Sequence, residues 1–238
     1  MREFVFEIRY ESDADELMDL FIETPDARMT TFLCPMGNAQ LWKLDRIVGP
    51  DSAVEHATAL LTDPTYDQLT ITDRACGGRH YTDVLESSSQ RSLVFSYFEK
   101  LVHCDSIPTI TNRYITGALL FEVTRHGNAE RWRILMEDEK KVGMLYDTLG
   151  SLLQDGLSFH FNHVGDASGP LLSLFESVSV RPEQGRVLEL AAKEGYYETP
   201  RETTLDELAV ELDCPRSTVS YRLRKAEAAL VESYISTK

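Results

Sequence analysis

The sequence predicts an α+β fold: N-terminal ferredoxin-like β-α-β-β-α-β modules, two in tandem, followed by an all-α helix-turn-helix domain. Three observations predict it. Segments of period 2 and period 3.6 alternate through the first 165 residues. The run Asn162–Pro170 is rich in turn formers. From Leu171 onward the apolar spacing is helical, apart from the turn-rich Tyr196–Thr203. The expected division is a sensor or assembly domain over 1–165, a linker over 166–179 and a helix-turn-helix domain over 180–238.

Phe4, Phe6, Ile8 and Tyr10 share one face of a strand. Ser12 is expected to cap a helix bearing Leu17, Leu20 and Phe21. Strands over Arg28–Cys34 and Gln40–Val48 flank the turn Pro35-Met36-Gly37-Asn38. A helix from about Ser52 to Leu61 and a strand over Tyr66–Thr72 complete the first module. The second is expected to begin with a strand over His80–Leu85 and a helix over Arg91–Leu101. A hairpin of Tyr114–Thr124 with Arg131–Met136 turns at His126-Gly127-Asn128. Asp138 is read as the cap of a helix with Val142, Leu145, Leu149 and Leu152 on one stripe, ending at Gly156. Leu157, Phe159 and Phe161 then alternate as a half-buried strand, on which His160 and His163 fall on opposite faces.

The C-terminal part carries the chemistry. Thr204 and Glu207 have capping-box spacing, and Leu205, Leu208, Ala209 and Leu212 fall on one stripe behind them. Asp213-Cys214-Pro215 breaks that helix, and Pro215 suits the first position of the next. This second helix buries Val219, Leu223, Ala226 and Leu230 and exposes Ser217, Tyr221 and Arg224, flanked by Thr218 and Lys225. Such a face fits a recognition helix in the major groove of double-stranded DNA. The expected DNA-binding residues are Arg216, Ser217, Thr218, Ser220, Tyr221, Arg222, Arg224 and Lys225. Hydroxyls and Arg near the N-terminal half of the helix reach base edges, whereas Arg222 and Lys225 meet phosphates. An αα-hairpin with a charged outer face is the plainer alternative.

Charge is distributed unevenly. The net charge is −15, with −13 in residues 1–180 (15 Lys/Arg against 28 Asp/Glu) and −2 in residues 181–238 (9 against 11). Pro215–Ala226 holds four bases and no acid, so the phosphate-attracting patch is local. Acid excess with 17 Arg against 7 Lys is typical of proteins from salt-accumulating cells; an ordinary acidic protein is the alternative.

Val180-Arg181-Pro182-Glu183-Gln184, Val187–Ala191, Gly195–Arg201, Thr204–Ala209 and Arg216–Glu227 together resemble the helix-turn-helix domain of the haloarchaeal bacterio-opsin activator family. The resemblance covers about 55 residues with several motifs in register. It implies archaeal transcription regulation and supports the salt-adapted reading of the acids. Where that family has Ser ahead of the Arg-Ser-Thr run, this chain has Pro215. Gly127–Ile134, followed by an amphipathic helix, is similar to the sensor-associated domain found beside this motif in such activators.

Other chemistry is poorly represented. The four cysteines, Cys34, Cys76, Cys104 and Cys214, form no C-x-x-C and are expected as reduced thiols rather than a disulfide framework. Cys76, His80, His103 and Cys104 offer soft ligands, but their spacing matches no zinc pattern, and redox sensing by Cys76 or Cys104 has no further support. No nucleophile elbow, phosphate-binding glycine loop or H-E-x-x-H occurs, so neither an enzyme nor a cofactor is expected. Acids Glu3 and Glu7 in the first apolar stretch argue against a secretory signal, and no apolar run is long enough to span a bilayer, which points to the cytoplasm. Tyr196–Pro200 reads as a wing or, preferably, as an interhelix loop with packed tyrosines. Ala226, Leu230 and Ile235 are available for a homodimer partner, and a small-molecule effector of the N-terminal domain is a further candidate partner. The rival to a DNA-binding regulator is an interaction or dimerisation adaptor without DNA binding.

Overall fold

The computed structural model describes residues 1–37, 39–101, 104–115, 117, 119–167 and 182–236. The chain divides into two compact units, residues 1–171 and 172–238. The expected linker lies outside the described residues except for Asp166, the last residue of a strand, and Ala167.

In the first unit the elements run β1 (Arg2–Tyr10), α1 (Glu16–Glu23), β2 (Arg28–Pro35), β3 (Gln40–Val48), α2 (Asp51–Thr62), β4 (Arg79–Ser88), β5 (Arg91–Glu99), α3 (Ile107–Tyr114), β6 (Leu120–His126), β7 (Ala129–Met136), α4 (Val142–Leu152) and β8 (Leu157–Asp166). All eight strands form one sheet in the order β4-β5-β3-β2-β6-β7-β1-β8, every neighbouring pair antiparallel. One face of it carries Phe4, Phe6 and Ile8, Met29 and Leu33, Leu41 and Ile47, Phe121 and Val123, and Trp132 and Ile134. These side chains bury against Phe21, Leu61, Ile110 and Leu145 of the four helices in a single core.

The α+β architecture and the first elements are as the sequence predicts, but among the described residues the strands of the two expected modules join one continuous sheet. The unexpected strand explains why. The expected helix over Arg91–Leu101 is instead strand β5 over Arg91–Glu99. It is a strand whose faces are both covered, Ser92, Val94, Ser96 and Phe98 buried on one side and Leu93, Phe95 and Tyr97 half-buried on the other. A two-sided strand shows no alternation of polarity, so its period is invisible in sequence. The two-residue turn Ser89-Gln90 folds β5 straight back onto β4. As a result β5 lies between β4 and β3, while β1 lies between β7 and β8.

Residues Tyr66–Thr72 are not a strand. The Asp67 carboxylate accepts the backbone N–H groups of Leu69, Thr70 and Cys76 at 3.1, 3.4 and 2.6 Å, an Asx-type arrangement that displaces a ladder. Thr70 keeps a single bridge to Ser106. Helix α3, which sequence reading missed, starts at the N-cap Ser106. Helix α1 is capped by Asp15, whose Oδ1 accepts from the Met18 amide at 2.8 Å, not by Ser12. Lys141, not Asp138, stands at the N-cap of α4. Strand β8 runs on to Asp166, through the segment expected to begin the linker, because it pairs along the whole of β1. A bulge between Val5 and Phe6 places His160 opposite Glu7 and His163 opposite Val5, so the two histidines share a face.

The cysteine expectation is also corrected: Cys76 and Cys104 form a disulfide, with their Cα atoms 4.4 Å apart. The two lie just outside the ends of the β4–β5 hairpin, and closing that hairpin brings its flanks together. With both sulfurs in the bond, neither is a thiolate for zinc, and His103 lies outside the described residues. Cys34 and Cys214 are free.

Candidate nucleic-acid interface

Among the described residues the second unit holds three helices: α5 (Pro182–Lys193), α6 (Leu205–Glu211) and α7 (Arg216–Ser236). Helix α5 ends because Gly195, at φ 73°, enters the left-handed region. The Gly195 amide donates to Ala192 O at 3.3 Å and the Tyr196 amide to Ala191 O at 2.8 Å, a Schellman closure. Val187 and Ala191 of this helix pack against Leu208 of α6 and against Val219 and Leu223 of α7, with Tyr196 and Leu212 at the margin.

Helix α6 begins in the capping box read from the sequence. The Glu207 amide donates to Thr204 Oγ1 at 3.3 Å, and Glu207 Oε2 accepts from the Thr204 amide at 2.8 Å. Hydroxyl and amide donation from Thr204, joined by the Thr203 hydroxyl, holds the Glu207 carboxyl below the usual carboxylate range. The helix stops where Asp213 takes φ 46°. Pro215 stands at the N-cap rather than inside α7, for its carbonyl accepts from the Val219 amide at 3.1 Å. Having no side-chain oxygen, it leaves the first amides of α7 without the cap that a Ser would give.

Helix α7 sorts its residues as expected for the most part. Val219, Leu223 and Ala226 are buried; Arg216, Ser217, Tyr221, Arg224 and Lys225 are exposed; Thr218, Ser220 and Arg222 are intermediate. Two expectations fail. Leu230 is 39% exposed, because the core of this unit ends a turn earlier, and Ala226 is wholly buried in its own chain and so is closed to a partner. Arg216 is paired with Asp206 of α6 at 3.1 Å, a link across the turn that spacing alone did not reveal. The tyrosine loop packs instead of forming a wing: among residues 182–236 there is no strand. Tyr197 donates to Glu227 of α7 at 2.9 Å, and the Arg201 guanidinium sits 4.5 Å from the Tyr196 ring centre.

Among the described residues of the first unit are a small polar chamber and an open cleft. One, about 40 Å³, is lined by Tyr10, Asp15, Lys43, Tyr66, Arg125 and Glu130. Lys43 pairs with Asp45 at 2.8 Å, Arg125 with Glu130, and Tyr10 donates to Glu130 at 3.0 Å. Burial pushes the Asp15 carboxyl and the Tyr10 phenol up and the Lys43 ammonium down. Sequence reading missed this group, although Lys43 and Asp45 occupy the core-facing positions of the alternating run Leu41–Ile47. The other is an open cleft of about 560 Å³ between α4 and the β1–β8 edge, lined by Arg2, Phe4, Val142, Tyr146 and Phe161.

A short capped helix, a tight turn and a longer helix with an exposed basic and hydroxyl-bearing face define a helix-turn-helix DNA-binding transcription regulator. Residues 182–232 match the family model HTH_10, an HTH DNA binding domain, of the bacterio-opsin activator type. Residues 3–170, more than half the chain, match the N-terminal family HVO_2928_N, and the chain belongs to that haloarchaeal family. No curated protein matches it. Among the described residues no helix is long and apolar enough to cross a membrane.

Proposed function

We propose that α7 is the recognition helix of a sequence-specific regulator, with Ser217, Thr218, Ser220, Tyr221 and Arg224 at base edges and Arg216, Arg222 and Lys225 at phosphates. The observation that carries this reading is the exposed face of α7 over Arg216–Ala226, which has no acid and lies opposite Val219 and Leu223. Arg216 is paired with Asp206 at the solvent-exposed turn between the two helices. A mobility-shift assay in high potassium chloride should show specific binding abolished by Arg224→Ala. Specific binding unchanged by alanine at both Arg216 and Arg224 overturns the assignment.

The protein acts in the cytoplasm as a homodimer on two half-sites. Exposed Leu230 and Val231 near the end of α7 support pairing there. Residues 1–165 form the regulatory domain, 166–179 the linker and 180–238 the DNA-binding domain. The regulatory domain is two ferredoxin-like modules that have exchanged their first strands, as the positions of β1 and β5 suggest. Its effector, a small molecule with an apolar body, occupies the cleft between α4 and β8. That cleft has the size and the aromatic lining of a ligand site. The protein regulates and does not catalyse.

A further inference from the structure

We infer that the Cys76–Cys104 disulfide is a thiol–disulfide exchange site, reached by a small thiol through its own cavity and attacked at Cys76. The two sulfurs are unequally placed. Cys104 is completely buried, whereas Cys76 is half-buried and lines an open cavity of about 150 Å³ beside His80, Phe98, Leu101 and Leu69. A cavity of about that volume accepts a molecule of benzene size. A compact thiol therefore has a docking space lined by Cys76 and not by Cys104.

Access decides which sulfur is attacked. The incoming thiolate forms a new S–S bond to Cys76 Sγ, and the Cys76–Cys104 bond breaks with its electron pair leaving on Cys104 Sγ, which takes up a proton. A second thiol attacks the adduct at the external sulfur, releasing Cys76 as a thiol and leaving the small disulfide. Two small thiols are oxidised and one protein disulfide is reduced. Cys34 stands apart from this chemistry, since burial pushes its thiol up and it belongs to no disulfide.

The bond fastens a segment with a task. Residues 66–71 line the polar chamber of Lys43, Arg125 and Glu130. Tyr66 donates to Asp15 at 2.9 Å, Gln68 donates to Leu61 O at 2.7 Å, and Ile71 O accepts from the Gln154 amide at 3.0 Å. The Ile71 amide donates to Asp105 O at 3.2 Å, Thr70 bridges Ser106, and Asp67 accepts from the Cys76 amide. Opening the disulfide removes the covalent tie of Cys76 to Cys104 and leaves the contacts of Thr70 and Ile71 with Ser106 and Asp105 to hold this segment alone. The inference concerns the regulatory domain alone and does not depend on the assignment of DNA contacts.

The test uses the oxidised full-length protein and 2-mercaptoethanol without denaturant, followed by acid trapping and peptide mass mapping. The expected adduct is on Cys76, with Cys104 as a free thiol, and hydrogen exchange over residues 66–76 should rise at least about tenfold on full reduction. Ala75→Trp, at the exposed rim of the cavity, should slow reduction about tenfold and leave the Tm of the oxidised protein unchanged. An adduct on Cys104, or reduction only after denaturant is added, overturns the inference. So does an unaltered rate in Ala75→Trp.

Discussion

Gly195 shows how a single residue sets the shape of the DNA-binding unit. A Cβ there would lie 2.6 Å from Glu202 Oε2 and 2.8 Å from Glu202 Cβ, and φ is 73°. Gly195→Ala combines a left-handed penalty with this clash and should destabilise the unit by about 1–3 kcal/mol, measured by urea unfolding. Adding Glu202→Ala should recover part of the loss but not all of it, since the backbone penalty and the contact with the Cβ of residue 202 remain. Glu207 supplies the pH dependence at this scale. Its folded pKa is depressed, so its capping contribution is present above the unfolded value of about 4.3 and is lost as pH falls through the lower folded value. Thermal melts from neutral to about pH 3 should show that loss in the wild type, and Glu207→Gln should not show it. Thr204 and Glu207 were legible in the sequence because a capping box is a contact between residues three apart. The Asp206–Arg216 pair was not, because the path of the intervening turn decides whether the two side chains meet.

At the scale of elements, the β4–β5 hairpin and its disulfide are the least predictable part of the molecule. The bond closes a loop of 28 residues around that hairpin. Chain-entropy arguments give such a loop about 3.5 kcal/mol of stabilisation, an upper value because reduced chains keep some structure. The double variant Cys76→Ser, Cys104→Ser should therefore lower the urea midpoint of the wild-type oxidised protein, and reducing agent should then have no further effect on it. Equal midpoints for the oxidised wild type and the double variant would refute this. Helices α6 and α7 were readable because each presents a narrow apolar stripe and an exposed polar face. Strand β5 was misread for the opposite reason, being apolar or small on both faces. The segment at Tyr66–Thr72 has strand composition, and only the convergence of three amides on Asp67 shows that it is a turn.

At the scale of the whole molecule, charge governs how DNA is approached. Of the net −15, residues 181–238 carry only −2, and α7 offers a compact basic face on a chain that otherwise repels phosphate. Few counterions are then released on binding, so the dependence on salt should be shallow for a DNA-binding protein. Anisotropy titrations across a potassium chloride series should show the log–log slope fall by about 1 per protomer in Lys225→Ala, with similar loss on all sequences. A slope unchanged by that substitution removes Lys225 from the phosphate contacts.

By itself the sequence determined the helix-turn-helix. Its capping box, its turn and the stripe Val219, Leu223 and Ala226 are made by neighbours within a few turns of helix, so local periodicity carries them. Only the tertiary structure decided the order of the sheet, the bond between Cys76 and Cys104 and the polar chamber of Lys43, Arg125 and Glu130. Strand β1 pairs with β7 and β8, more than 120 residues away, and one tight hairpin at Ser89-Gln90 settles which strand sits beside which. Such pairings depend on the paths of all the strands at once, and no local pattern of residues encodes them.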